Sequence, residues 1–170
     1  DLFVELDMME GLTFPMEAVQ MIQGAFWDSP VPNPDGFEGI TLHILVDHDD
    51  LPFEAVTPTP DSDWPADAAL NKQPHFGTDT EQSDPDNVAL LEAKAKAYRY
   101  AIQYNLSSTG IGGLGERPGD DFVIFSGAFT NEQKAAVFMH ELGHNLGLRH
   151  GGSDDVNMKP NYPSVMNYVH

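Results

Sequence analysis

Three histidines and a glutamate near one end of the chain have the spacing most suggestive of chemistry: His140, Glu141 and His144, followed by Gly147 and His150. His140 and His144 are four apart, so on a helix they lie one above the other on the same face. Two imidazoles placed this way can hold one Zn²⁺, with Zn–N distances of about 2.0–2.1 Å. Glu141, next to the first of them, can reach a metal-bound water as general base. Gly147 can take the left-handed backbone that ends a helix and turns the chain sharply, which would bring His150 back as a third ligand. Three protein ligands leave a position open for water, the arrangement of a catalytic rather than a structural zinc site. HExxH fixes three positions and arises by chance at about one start in 8,000; the added glycine and histidine make the pattern about 400-fold rarer. The bland alternative is a surface helix carrying three solvated histidines.

These residues need a helix to carry them, and the sequence supplies one. Thr130 is a good N-cap, and Gln133 three residues later completes a capping box. Ala135, Ala136, Val137, Phe138, Met139 and Leu142 follow as an apolar helical run. Just upstream, Asp121 to Ser126 (DFVIFS) is almost wholly apolar and reads as a strand buried on both faces, feeding the helix through Gly127.

The earlier part of the chain alternates strand and helix patterns. Leu2 to Asp7 fits a strand, and Pro15 to Trp27 a helix with Met16, Val19, Ile22 and Phe26 at helical spacing. Gly39 to Asp47 reads as a second strand, with Ile40, Leu42, Ile44 and Val46 on one face and His43 on the other. A strand, a helix and a strand open an α/β unit with a right-handed crossover. Pro85-Asp86-Asn87 opens a further helix whose expected buried stripe is Val88, Leu91, Ala95 and Tyr98, and Tyr98 to Tyr104 then alternates as a third strand. Ser107 to Gly119 is rich in glycine but has no GK[ST], so it is not a phosphate loop.

At 170 residues, with 27 acidic against 8 basic residues and a formal net charge of −19, the chain reads as one acidic domain. Such a charge argues against nucleic-acid and anionic-membrane partners, and no apolar run is long enough to span a bilayer. The cysteine count is zero, which excludes disulfides. The first residue is Asp1 rather than Met, so a processed, secreted form or a fragment is expected, acting as a monomer. The segment from Asp47 to Asp86 is rich in Pro and Asp. Two acidic groups there, Asp47, Asp49 and Asp50 and then Asp61, Asp63 and Asp67, are candidate Ca²⁺ sites that could order it; the alternative is solvated, turn-forming aspartates.

HELGHNLGLRH resembles the zinc-binding signature HExxHxxGxxH of the metzincin proteases, and Ser164-Val165-Met166-Asn167-Tyr168 is placed as their Met-turn would be. The resemblance implies an α/β (α+β) fold: a twisted, mostly parallel sheet of about five strands with an antiparallel edge strand, the active-site helix beneath it, and a short C-terminal subdomain. One domain would then divide into residues 1–150 and 151–170. It implies His140, His144 and His150 as zinc ligands, Glu141 as general base, Gly147 as the turn and Met166 as the floor of the site. Gly151, after the third histidine, is not the residue found there in astacins, serralysins, adamalysins or matrixins. The tyrosine two after the methionine resembles astacins and serralysins, which makes Tyr168 a candidate oxyanion-stabilising switch; packing as an ordinary aromatic is the alternative. Gly110, Ile111, Gly112, Gly113 and Leu114 correspond to the edge strand that binds extended protein or peptide substrates by main-chain hydrogen bonds. The expected activity is a zinc-dependent endopeptidase. The alternatives are an acidic binding module whose zinc site is inactive, or the same zinc chemistry on another amide or a small peptide.

Overall fold

In a computed structural model, the structure describes residues 1–52, 72, 74–105 and 110–168. Five strands form one sheet in the order β2-β1-β3-β5-β4. They are β1 (Leu2–Met8), β2 (Leu42–Val46), β3 (Tyr98–Tyr104), β4 (Gly113–Gly115) and β5 (Asp121–Phe125). β1, β2, β3 and β5 are mutually parallel, and β4 runs antiparallel to β5 at the edge. The helices are α1 (Met16–Trp27), α2 (Asp79–Ser83), α3 (Val88–Ala97) and α4 (Asn131–Asn145), with a 3₁₀ turn over Pro85–Asn87. Among the described residues no helix is long and apolar enough to cross a membrane.

The period of two along the strands sorts the core into two layers. Val4, Leu6 and Met8 of β1, Ala101 of β3, and Phe122 and Ile124 of β5 face α1 and α4. Tyr100, Ile102 and Tyr104 of β3, with Val123 and Phe125 of β5, face the other way onto Met9, Leu51 and Phe76. All five residues of β5 are buried, as expected of a strand covered on both faces. Phe138 of α4 is fully buried, with its ring centroid 5.1 Å from Phe122 and 5.7 Å from Phe14. Burying such a side chain contributes about 1.5–3 kcal/mol, so this contact locks the helix to the sheet.

Four expectations need correction. The second strand begins at Leu42 rather than Gly39, because Gly39 and Ile40 hydrogen-bond to Val31 and to Phe26 at the end of α1. Its alternation holds for Leu42 and Ile44 and fails at Val46, which is exposed: β2 is an edge strand, and α1 covers only its beginning, where Gln23 donates to the Leu42 carbonyl. Val88 is likewise exposed, since α3 leans on the sheet only through its later part. Ala95 packs there against the second core layer, and Lys94 reaches Glu5 and Glu81. The edge strand, finally, is shorter than Gly110 to Leu114. Gly112 still accepts from the Phe125 amide, but Gly110, with φ +75°, lies outside the strand.

Candidate active site

Helix α4 is built to present one polar cluster. Its N-terminus carries the full capping box, with the Gln133 amide donating to the Thr130 hydroxyl and the Thr130 amide to the Gln133 side chain. Ala135, Phe138 and Leu142 anchor it in the core. His140, Glu141 and His144 are then themselves buried, at 9%, 5% and 8% exposure.

The helix ends as the glycine demanded. Gly147 has φ +89°, its amide donates to the His144 carbonyl, and the Leu148 amide donates to the Gly143 carbonyl. This pair of bonds is a Schellman motif, and it reverses the chain. His150 returns to the helix with its ring centroid 5.3 Å from that of His140 and 5.0 Å from that of His144. One ligand nitrogen from each of the three lies within 4.8 Å of the others.

Carbonyls fix which nitrogens those are. His140 Nδ1 lies 2.7 Å from the Val165 oxygen, and His144 Nδ1 lies 2.9 Å from the Leu148 oxygen. A carbonyl only accepts, so both Nδ1 atoms carry the proton and both Nε2 atoms present a lone pair. This is the partner arrangement that orients metal-ligating histidines. Burial favours the neutral form of all three imidazoles, pushing His144 down to about 4 and lowering His140 and His150. Three neutral imidazole nitrogens suit zinc, and the donor set therefore fits a zinc ion.

The other expected residues fall around this centre. Burial pushes the Glu141 carboxyl up to about 8. Its carboxyl lies beneath β4: a Cβ at Gly113 would come within 2.7 Å of it, and one at Gly115 within 2.7 Å of the Glu141 carbonyl. The glycines of the edge strand are thus needed for its approach to the helix. The Tyr168 hydroxyl is 3.2 Å from His150 Nε2, and burial followed by the nearby Glu141 raises its pKa. Met166 is buried, with its sulphur packed where any side chain at Gly143 would have to be. A cleft of about 260 Å³ runs between Ile111–Gly113 above and Val137, His140, Glu141, Val165 and Tyr168 below.

Some contributors carried no signal in the pattern. Asn167, 1% exposed, donates to the carbonyls of Lys159 and Tyr162, and the Asn157 side chain accepts from the Tyr168 amide. Together they hold the turn that carries Met166 and Tyr168. Gly151 is explained by its neighbours: Lys159 Nζ caps its carbonyl at 3.1 Å and pairs with Asp154, leaving no room for a Cβ. Asp155 bridges Arg117 and Arg149.

The calcium candidates fare differently. Asp47 gathers with Asp7 and His48, and neither Asp49 nor Asp50 joins that group. Asp61, Asp63 and Asp67 lie outside the described residues. Nothing in the described residues supports calcium.

A sequence model of the metallo-peptidase family M12, Reprolysin_5, matches residues 40–166. The chain belongs to metallo-peptidase family M12. The match takes in the three histidines, Glu141 and Met166. Comparison with curated proteins gives no match. Among solved structures, one described as "Structure of a chaperone-substrate complex" shares the fold at a TM-score of 0.52 and 12% identity. That alignment covers 98% of this chain and 27% of the other, so the M12 domain here spans about a quarter of that chain's length.

Proposed function

We propose that the chain is a zinc-dependent endopeptidase that cleaves protein segments bound in extended form. The observation that carries this is the convergence of His140, His144 and His150, two with the Nδ1 proton pinned, beside a buried glutamate at the floor of an open cleft. Zinc held by these three nitrogens would supply a Lewis acid and lower the pKa of a bound water to about 7. Glu141 is the general base: its carboxylate takes the proton of the attacking water and delivers it to the leaving amine. Burial alone disfavours that carboxylate, and a dication held by the three histidines would favour it again. Tyr168, its hydroxyl within 3.2 Å of His150 Nε2, is placed to donate to the oxyanion.

β4 forms the upper rim and, among the described residues, pairs with β5 alone, so a substrate strand can add along its outer edge. Metal removal tests the reading. An unfolded protein such as casein is expected to be cut, cutting is expected to stop with a zinc chelator, and added zinc is expected to restore it. Cleavage that survives complete zinc removal would overturn the assignment. Zinc binding without cleavage of any unfolded protein would favour an inactive zinc-binding module.

A further inference from the structure

A second group of metal-ligating side chains sits on the opposite face of the sheet from α4. Asp7 is fully buried and follows Glu5 on the β1 face away from the helix layer, while Asp47 and His48 follow directly on the end of β2. One ligand atom from each of Asp7, Asp47 and His48 lies within 4.8 Å of the others.

Three observations point to a cation between them, the first of them, the Asp79–His48 contact, in two ways. His48 Nε2 lies 3.2 Å from Asp79 Oδ1, and a carboxylate at that nitrogen favours the tautomer with the proton on Nε2. Nδ1 then presents a bare lone pair toward the Asp7 carboxylate, an unfavourable contact unless a metal ion intervenes or Nδ1 is itself protonated. Among the described residues, His48 Nδ1 and Asp47 Oδ2 are both buried atoms without a hydrogen-bond partner. His48 Nδ1 stands 3.5 Å from Asp7 Oδ1, which is long for a hydrogen bond. It is the ordinary spacing of two ligands on one tetrahedral ion, about 3.4 Å for bonds of about 2.0–2.1 Å. Finally, Asp79–His48 has the form of the outer carboxylate–histidine pair that orients metal ligands.

We propose that Asp7, Asp47 and His48 form a second, structural metal site for a divalent transition ion such as Zn²⁺. An imidazole with two carboxylates suits such an ion better than Ca²⁺, which takes oxygen ligands. Asp7 is held in place for ligation, since its other oxygen accepts from the Tyr100 hydroxyl and the His48 amide donates to Oδ1. The bound ion would fasten the end of the edge strand β2 to β1. The competing arrangement is a protonated His48 acting as the cation itself.

Zinc titration of the metal-free full chain separates the two, with bound metal and melting temperature as readouts. The wild type is expected to bind two equivalents. His48→Ala and Asp47→Asn are expected to bind one, and to lose the rise in melting temperature that the second equivalent gives. A His140→Ala, His144→Ala double variant should keep the Asp7 site while losing the other, so failure at either centre is seen separately. Circular dichroism checks that each variant is folded, and Asp47→Asn, at a half-buried residue, guards against loss of fold in His48→Ala. A wild type that binds a single equivalent, or a second equivalent that persists in folded Asp47→Asn, would overturn the proposal.

Discussion

Glu141 lies buried beneath β4, and that position makes its proton a reporter. Burial pushes the carboxyl up to about 8, so at pH 6 the metal-free protein holds it protonated. A zinc ion beside it favours the carboxylate, so metal binding at pH 6 should expel that proton. Calorimetric titration in buffers of differing ionisation enthalpy should show about one proton fewer released by Glu141→Gln than by the wild type. Equal release from the two would mean that Glu141 is ionised before metal arrives. His140, Glu141, His144, Gly147 and His150 were legible because helix periodicity and a glycine stop are local properties. The burial of Glu141 was not, because it depends on β4, whose close approach rests on Gly113 and Gly115.

Between elements, the decisive contact is α4 against the turn that follows it. Gly143 lies between Glu141 and His144, and the Met166 sulphur occupies the space of its missing side chain. The same turn supplies the Val165 carbonyl that holds His140. Gly143→Ala should therefore force the turn outward, at a cost of about 1–3 kcal/mol in denaturant unfolding, and loosen zinc. An unchanged unfolding midpoint with unchanged zinc affinity would show that the turn is not seated on the helix. The elements themselves were mostly legible from their periods, and β5 in full. What the pattern left open was each element's place in the sheet. Ile44 and Val46 have the same chemistry and the same parity, and Val46 lies in solvent because α1 covers only the beginning of the edge strand β2. Val88 fails for the same reason, since its helix is covered only near its end.

For the molecule as a whole, the charge imbalance shapes how the few cations are used. Lys72, Lys94, Lys159, Arg117 and Arg149 each pair with carboxylates, and Asp155 serves both arginines. Asp121 pairs with Lys72 at 2.6 Å, yet burial outweighs the lysine and pushes its carboxyl up to about 6 from the ordinary 3.8. The folded protein thus binds this proton more tightly than the unfolded chain. Asp121 adds stability as pH falls from about 6 toward 4 and withdraws it as pH rises through 6. The three site histidines act in the opposite direction over an overlapping range, because their folded values are lowered. The difference between wild type and Asp121→Asn isolates the carboxylate: between pH 4 and 6 the wild type should gain stability relative to the variant as the solution is acidified. A pH-independent difference would contradict the assignment. Composition announced the excess of acid, but only the fold shows which carboxylates are dry.

The most direct test of the central claim is the rate of casein cleavage by Glu141→Gln beside the wild type, with zinc measured in the same samples. A zinc endopeptidase with Glu141 as its base predicts the same zinc content in both and a loss of about 10²–10⁴-fold in kcat for the variant. Cleavage at the wild-type rate by a zinc-loaded Glu141→Gln protein would contradict it.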